Sequence, residues 1–152
     1  MRFVIRNTLW ASCLFLACFV GLTHASVLEE VVITAQKREQ NMQDVGIAVT
    51  ALSGDQMQQL GFDNTIQITE QIPGLQVLSF TPAQVVFNIR GVSQNNFTDN
   101  NEAPVAVYVD DAYLATMNGL SGQLFDIERV EVLRGPQGSL FGRNATGGVI
   151  HY

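Results

Sequence analysis

Near its end the chain contains the stretch Arg134-Gly-Pro-Gln-Gly-Ser-Leu-Phe-Gly-Arg-Asn-Ala-Thr-Gly-Gly-Val-Ile150. Five glycines, one proline and two arginines lie there between the apolar runs Val130-Glu-Val-Leu133 and Val149-Ile150. Glycine permits positive φ and close approach of two backbones, whereas proline fixes φ and removes a donor. The pattern therefore predicts a tightly shaped loop between two strands.

Apolar residues alternate in several other stretches, which is typical of half-buried strands. The alternating segments are residues 47–51, 85–90, 105–109 and 128–133, and residues 75–78 are also expected to be extended. Within 85–90, Val85, Phe87 and Ile89 share one face. Asp110-Asp111 is predicted as the turn that ends the third segment.

Two or three short helices are expected between these strands. Ser53-Gly-Asp-Gln56 has the pattern of a capping box that opens a helix through Leu60, and Gly61 is placed to close it. A second helix is expected from Thr65, with Ile68 and Ile72 one turn apart, and it must stop at Pro73-Gly74. Residues 119–125 are expected to form a short helix or turn. The whole pattern predicts an α+β domain with a mixed sheet.

The first 25 residues have the composition of a secretory signal peptide. Arg2 and Arg6 precede an uncharged run from Thr8 to Leu22, and the small residue Ala25 is the expected cleavage position. The alternative is a permanent membrane anchor, for which this run is short. Cleavage predicts an exported protein.

Both cysteines, Cys13 and Cys18, lie in this segment, so neither a disulfide nor a thiolate metal site is expected after cleavage. Loss of Arg2 and Arg6 would leave six basic against fourteen acidic residues, a net charge of about −8. That charge argues against a nucleic-acid partner, because phosphate binding needs clustered Lys and Arg.

Catalytic chemistry has little support in the remaining residues. His151 is the single histidine after residue 25, so neither a His-based triad nor a zinc site is expected, and no catalytic residue, metal ligand or cofactor is assigned. The glycine-rich stretch fails as a phosphate loop in both spacing and identity, because three residues separate Gly138 from Gly142 and Arg143-Asn144 follows.

Residues 29–35 combine two glutamates with a β-branched run, and the polar residues 36–44 follow without an apolar period. An extended segment at a free end followed by a tether suits β-strand addition to the sheet edge of a partner. The alternative is an internal edge strand or a buried first strand.

The residue order from Asp126-Ile-Glu-Arg-Val-Glu-Val-Leu-Arg-Gly-Pro136 through Ile150 resembles the signature of the plug domain of TonB-dependent outer-membrane receptors. Three more stretches agree in the family's order: Ile72-Pro-Gly-Leu-Gln-Val77, Asn88-Ile-Arg-Gly-Val92 and Val105-Ala-Val-Tyr-Val-Asp-Asp111. A further segment, Glu30-Val-Val-Ile-Thr-Ala35, is similar to the TonB box, so the resemblance covers almost all of the chain after Ala25.

The resemblance implies a small globular plug with a mixed, roughly four-stranded sheet and short helices, seated in a barrel of about 22 strands. Residues 26–44 would be the TonB box and a flexible linker, and residues 45–152 the plug domain. The partner is then TonB with its inner-membrane energising complex, which would pull on the TonB box and rearrange the plug. The residues that bind TonB would be Glu30, Val31, Val32, Ile33, Thr34 and Ala35.

The resemblance also implies two further sets of contacts. Arg90, Arg134 and Arg143 match family positions that contact acidic residues of the barrel. A ferric chelate or other small nutrient would contact the outward loops, first residues 94–103 and second residues 79–84. The candidate ligand-contacting residues in the first loop are Gln94, Asn95, Asn96, Phe97, Asp99 and Asn100. The expected location is the outer membrane inside a barrel, or otherwise the periplasm.

A complete barrel would need about 220 residues at about 10 residues per strand, and no residue follows Tyr152 in this sequence. The strand that begins at Gly148 also stops at once, so we expect a fragment or a truncated reading frame. Two alternatives stay open. One is a stand-alone periplasmic binding or adaptor domain that recruits TonB, and the other is a secreted hydrolase using Asp110, Asp111 and Glu128.

Overall fold

The structure is a computed structural model that describes residues 32–34, 37–38, 40–96, 98, 101–116 and 125–152. Several predictions fall outside these residues: the signal peptide over 1–25, three members of the TonB box (Glu30, Val31, Ala35), three of the ligand loop (Phe97, Asp99, Asn100) and nearly all of the turn at 119–125. Within the described ranges no helix has the length and apolar composition needed to cross a membrane.

The described residues form nine strands, two α-helices and two 3₁₀ helices. The strands are β1 (Val32–Ile33), β2 (Gln40–Asn41), β3 (Ala48–Ser53), β4 (Leu75–Thr81), β5 (Gln84–Ile89), β6 (Val105–Val109), β7 (Ala112–Tyr113), β8 (Arg129–Arg134) and β9 (Gly148–His151). The helices are α1 (Gly54–Leu60) and α2 (Gly138–Phe141), with 3₁₀ helices at Met42–Asp44 and Gln67–Glu70.

Five strands form the central sheet in the order β3-β8-β9-β6-β7. All neighbours are antiparallel except β6 and β9, which run parallel with Val105 opposite Gly148. The sheet is therefore mixed, and with few helices around it the predicted α+β class is confirmed. The expected sheet had roughly four strands. The observed sheet has five, because the two-residue strand β7 lies at one edge.

Both faces of the sheet are buried. Successive residues of β8 point to opposite sides, so this strand supplies apolar side chains to each face. Val130 and Val132 lie in a first core with Met57, Ile72 and Ile150. Leu133 lies in a second core on the other face, whose buried members are Ile33, Ala106, Tyr108, Leu133, Phe141, Ala145 and Val149. The apolar positions of the alternating strands thus supply two hydrophobic layers.

The hairpin of β4 and β5 covers the first face. Val85, Phe87 and Ile89 are all buried in the first core, which confirms their predicted shared face. The strand ends at Ile89 rather than at the predicted Arg90, because Arg90 adopts a positive φ of 52° that no strand continues.

The first predicted helix is confirmed in detail. Ser53 Oγ accepts from Gln56 N at 3.2 Å and Gln56 Oε1 accepts from Ser53 N at 3.1 Å, which completes the capping box. Gly61 ends the helix with φ 72°. Asp110 and Asp111 have φ values of 47° and 64° and join β6 to β7, so the predicted turn is a two-residue hairpin turn with both central residues left-handed.

The second predicted helix is wrong in length and type, because only Gln67–Glu70 forms a single 3₁₀ turn. Asn64 Oδ1 accepts from the backbone N–H of Ile66 and Gln67 and fixes the entry as a local turn. The two isoleucines that suggested a helix, Ile68 and Ile72, are both buried.

The polar segment 36–44, predicted as a linker without regular structure, contains β2 and the 3₁₀ helix Met42–Asp44. β2 pairs antiparallel with β1, with Val32 opposite Asn41 and Ile33 opposite Gln40. Asn41 Oδ1 accepts from Gln43 N at 2.9 Å and so caps the turn that follows. β1 and β2 are therefore paired where a flexible tether was expected.

Candidate functional site

The glycine-rich stretch forms a compact loop between β8 and β9. Its two sides are joined by hydrogen bonds from Gly135 N to Gly147 O at 3.0 Å and from Gln137 N to Ala145 O at 2.8 Å. Helix α2 lies inside the loop and ends at Gly142, which has φ 80°. The loop is fixed to the sheet by Tyr108, whose hydroxyl donates to Phe141 O at 3.0 Å.

Gly147 and Gly148 bring three segments together at the start of β9. A Cβ on Gly147 would lie 2.9 Å from Val92 Cγ1, and a Cβ on Gly148 would meet Ile89 Cδ1 at 2.8 Å and the carbonyl oxygen of Leu133. The loop at 94–103 starts and ends here as well, since Gly147 N donates to Pro104 O at 2.8 Å. Two of the stretches that resemble the plug-domain family, residues 88–92 and 126–150, therefore meet at this end of the sheet.

Arg90 and Arg134 lie next to each other across Gly135. Arg134 Nη1 donates to Pro73 O at 3.0 Å, and a Cβ on Gly135 would lie 3.8 Å from Arg90 Nη1. Arg134 Nε is buried, and it has no hydrogen-bond partner among the described residues. The two predicted barrel-contacting arginines thus both lie at the base of the β4–β5 hairpin.

Arg143 belongs to a different part of the surface. Its guanidinium pairs with Glu102 at 2.9 Å, and both side chains are exposed. The hydrogen bond from Arg143 holds the pKa of Glu102 below its usual range, and the reciprocal bond raises the pKa of Arg143. The third predicted arginine therefore connects the glycine-rich loop to the candidate ligand loop.

The first candidate ligand loop is polar and exposed where it is described. Asn96 Oδ1 accepts from the backbone N and the Oγ1 of Thr98 at 3.2 Å and 2.9 Å, and Asn95 is exposed beside it. Gln94 is half-buried. Local turns of this kind fix the loop backbone and leave the remaining amide groups for other contacts.

The second candidate loop, residues 79–84, is the tip of the β4–β5 hairpin and exposes 52% of Phe80. The first loop is anchored at the hairpin base, since Arg90 N donates to Gly74 O and Ile89 bridges to Val92. A strand of seven residues separates tip from base by about 20 Å. The structure does not bring the anchors of the two predicted ligand loops together.

The described part of the predicted TonB box packs against the second face of the sheet. Val32 is 39% exposed, while Ile33 is 1% exposed within the second core. Thr34 donates its backbone N–H to Glu131 Oε1 at 2.8 Å and its hydroxyl to the same atom at 3.2 Å. Residues 32–34 are thus held against β8 by two hydrogen bonds to Glu131 and by the burial of Ile33.

Glu131 was not identified from the sequence. It is 1% exposed, and its Oε1 also lies 3.1 Å from Arg129 Nε. A signal was available, because in the alternating strand Val130-Glu-Val-Leu133 the glutamate shares its face with the apolar Leu133. A carboxylate on a buried face requires a donor from elsewhere in the chain.

Each acidic residue of the alternative hydrolase has a structural role or an ion-pair partner. Asp110 and Asp111 make the hairpin turn described above, and Asp111 lies 3.6 Å from His151 Nε2. Glu128 is 85% exposed and pairs with Arg129 at 3.3 Å. Across the described residues no three His, Cys, Asp or Glu side chains are placed to hold a metal ion.

A family model described as TonB-dependent Receptor Plug Domain matches residues 41–149. Among individual proteins, the chain is 32% identical over 130 residues to the vitamin B12 transporter BtuB of Vibrio vulnificus, which covers 81% of this chain and 20% of the transporter. It is 30% identical to the pesticin receptor of Yersinia pestis, covering 79% of this chain and 18% of the receptor. The chain therefore spans about a fifth of the length of these curated relatives.

Solved structures give the same result. The ferric yersiniabactin uptake receptor FyuA of Yersinia pestis matches with a TM-score of 0.61 and 31% identity, over 69% of this chain and 16% of the receptor. The ferripyoverdine receptor of the outer membrane of Pseudomonas aeruginosa matches with a TM-score of 0.64 over 80% of this chain and 16% of that chain. At 20% identity, the second match shows the fold alone.

Proposed function

The chain belongs to the TonB-dependent receptor plug domain family, and from this membership we propose that it is the gating part of an outer-membrane receptor for active uptake of a scarce nutrient. The relatives named above are receptors or transporters for vitamin B12, pesticin and ferric siderophores. An iron–siderophore complex is accordingly the first candidate nutrient, and no enzymatic activity is proposed.

The observation that carries the proposal is the buried Nε of Arg134, which has no hydrogen-bond partner among the described residues. A buried guanidinium nitrogen without an acceptor is unfavourable, and a second cation, Arg90, lies at the same hairpin base. Acidic side chains of a surrounding barrel would satisfy both groups, and a bidentate pair would also fix the rotation of the plug. Arg143 would make a third such contact in competition with Glu102.

TonB is the proposed partner of Glu30, Val31, Val32, Ile33, Thr34 and Ala35. Strand addition relies on main-chain hydrogen bonds. A proline within the segment has no N–H and therefore removes one of the donors. Val32→Pro should weaken binding of a peptide spanning residues 28–37 to the periplasmic domain of TonB by about tenfold, measured by calorimetry. The matched peptide with Lys37→Pro, outside the box, should bind like the native peptide. Equal affinities for all three peptides would contradict strand addition.

Uptake by cells that produce the complete gene product tests the proposal as a whole. Radiolabelled ferric siderophores and cyanocobalamin would be offered to strains with and without TonB. We expect saturable uptake of one of them, and only in the strain with TonB.

The alternative is a stand-alone periplasmic domain that recruits TonB. It would be supported by a soluble periplasmic product that binds TonB and gives no uptake in either strain. Fractionation of the cells distinguishes the two functions, since the receptor is expected in the outer membrane after removal of residues 1–25.

A further inference from the structure

A cavity of about 590 Å³ opens where β6 and β9 end and β8 begins. The described residues that line it include five carboxylates, one guanidinium and the ring of His151. The carboxylates belong to Asp110, Asp111, Asp126, Glu128 and Glu131, and the guanidinium belongs to Arg129. The cavity has the volume of a small-molecule site, and its charged groups are predominantly negative.

Glu131 gives this cavity a buried oxygen that lacks a partner. Its Oε1 accepts from the backbone N–H of Thr34 at 2.8 Å and lies 3.1 Å from Arg129 Nε. Its Oε2 is buried, and no described residue donates a hydrogen bond to it. A buried carboxylate oxygen without a donor is costly, because it has given up its water without a replacement. Glu131 therefore requires a donor that enters from the cavity.

Exposed carboxylates surround the opening of the same cavity. The side chains of Asp111 and Glu128 are 75% and 85% exposed, whereas Glu131 is 1% exposed. Asp111 lies 3.6 Å from His151 Nε2, and Glu128 lies 3.3 Å from Arg129. An ionised carboxylate offers about four acceptor sites, so these contacts leave most of the sites available. The cavity thus combines one buried acceptor with several exposed acceptors.

Basic residues of this sequence do not neutralise the cavity. Six of them follow residue 25, and all six lie in the described ranges. Arg129 lines the cavity, where it already contacts Glu128 and Glu131. The other five do not line it: Lys37, Arg38, Arg90, Arg134 and Arg143. A further positive group in the cavity therefore has to come from outside residues 26–152.

An organic cation suits these acceptors better than a metal ion does. A metal ion needs ligand atoms that converge on one point, and across the described residues no three His, Cys, Asp or Glu side chains converge in this way. A primary ammonium has three N–H donors and a guanidinium has five, so each donor is able to reach a separate oxygen. Oxygens that are spread around a cavity therefore favour such a group.

We propose that this cavity binds an organic cation whose primary ammonium or guanidinium group donates to Glu131 Oε2. The exposed carboxylates at the opening attract the cation and accept its remaining N–H groups. The cation is either a free polyamine or a basic side chain of another chain, because both present the same donors. The site is independent of the proposed uptake function and of TonB.

The first test is calorimetric titration of the complete gene product with spermidine at low ionic strength, because salt screens exposed charges. We expect saturable binding. Glu131→Gln keeps a carbonyl acceptor for Thr34 and removes the charge, so it should lower the affinity about tenfold. Glu70→Gln removes an exposed carboxylate that does not line the cavity, and it should leave the affinity unchanged. Absence of saturable binding, or equal affinities for Glu131→Gln and the native protein, would overturn the site.

A variant at the opening keeps the test decisive if Glu131→Gln fails to fold. Asp110→Asn combined with Asp111→Asn preserves the left-handed turn, because asparagine adopts positive φ as readily as aspartate does. Loss of two exposed charges should lower the affinity for spermidine about threefold. Unchanged affinity of this double variant would overturn the site as proposed.

Chemical modification of His151 locates the bound cation. The His151 side chain is 11% exposed, lines the cavity and lies opposite Glu131 in the β8–β9 pair. Saturating spermidine should slow its reaction with diethyl pyrocarbonate about threefold or more, measured by mass spectrometry of the peptide that carries residue 151. An unchanged rate would place spermidine elsewhere on the protein and overturn the assignment.

The chemistry of the cation is tested with three further ligands. Fully N-methylated spermidine keeps the charge but has no N–H, so it should bind about tenfold more weakly, and equal binding would overturn the hydrogen bond to Glu131. Displacement of spermidine by an equal concentration of Ca²⁺ would overturn the organic cation. A tri-lysine peptide with blocked termini distinguishes the two sources. Tighter binding of spermidine supports a free polyamine, and tighter binding of the peptide supports a basic side chain.

Discussion

Single residues fix the close approaches that this fold requires, and Gly148 is the clearest case. It has φ 154°, and a Cβ there would meet the Leu133 carbonyl and lie 2.8 Å from Ile89 Cδ1. Neither neighbour is able to retreat easily, because Leu133 and Ile89 are fully buried in the two cores. The glycine is therefore a packing requirement as well as a conformational one.

Gly148→Ala should destabilise the chain by about 3 kcal/mol, because it adds overpacking to backbone strain. Urea unfolding followed by circular dichroism measures the change. Gly46→Ala is the matched control, since nothing lies within 4 Å of its Cβ position, and it should change stability by less than about 0.5 kcal/mol. A similar small effect at both positions would contradict the packing argument.

Burial raises the pKa of the phenols of Tyr152 and Tyr108. An acid whose pKa is higher in the folded state favours folding while it is neutral in both states. That contribution is fully present below the unfolded pKa of about 10 and is lost as the pH rises further. The free energy of unfolding should therefore fall above about pH 10.

Tyr152→Phe should make this alkaline loss smaller, because one of the two buried phenols is then absent. The measurement is the free energy of unfolding at a series of pH values between about 8 and 11. Tyr113→Phe keeps both phenols and the burial that is the first cause of each raised pKa, so it should show most of the loss. An identical pH profile for Tyr152→Phe and the native chain would contradict the prediction.

At the scale of elements, local side-chain chemistry defines the short structures that connect the strands. The capping box of α1 and the left-handed pair Asp110-Asp111 both form within four residues of the chain. Gly54 N, at the start of α1, also donates to Glu128 O at 2.7 Å and joins the helix to the residue before β8. The start of α1 is thus held both by a local capping box and by a long-range backbone hydrogen bond.

Ser53→Ala should destabilise the chain by about 1 kcal/mol, because Gln56 N loses its cap acceptor. Thermal and urea unfolding give the measurement. Gln58→Ala, on an exposed position of the same helix, should stay within about 0.5 kcal/mol of the native value. If both variants had equal stability, the box would contribute nothing beyond helix propensity.

For the whole molecule, the separation of the anchors of the two candidate ligand loops makes the loops independently testable. Phe97→Ala with Asn100→Ala changes the first loop, and Phe80→Ala changes the hairpin tip. In the complete receptor, loss of a well-packed contact should lower affinity for the transported ferric siderophore by about tenfold in the loop that binds it. Equilibrium binding to outer membranes measures the effect.

Gln58→Ala, outside both loops, is the control and should leave affinity unchanged. Reduced affinity only for the hairpin-tip variant would move the ligand site from residues 94–103 to residues 79–84. Unchanged affinity for both variants would place ligand contacts outside these two loops.

Sequence reasoning succeeded where the relevant interactions are close in the chain. Strand alternation at Val85, Phe87 and Ile89 predicted a buried face, and the spacing of Ser53 and Gln56 predicted the helix start. The same reasoning failed at residues 65–72, where two isoleucines at helical spacing lie around a 3₁₀ turn. Asn64 accepts from the backbone N–H of Ile66 and Gln67, which fixes a local turn at the point where the helix was expected to begin.

The sequence by itself determined the longer strands, the turn at Asp110-Asp111, the glycine-rich loop and the family, because each depends on residue order over a few positions. Only the tertiary structure decided that Arg90 and Arg134 lie at the same hairpin base while Arg143 pairs with Glu102. It also decided that Thr34 docks on Glu131, a residue 97 positions away. Such contacts depend on which strands lie side by side, and strand order is set by the burial of both sheet faces together rather than by any local pattern.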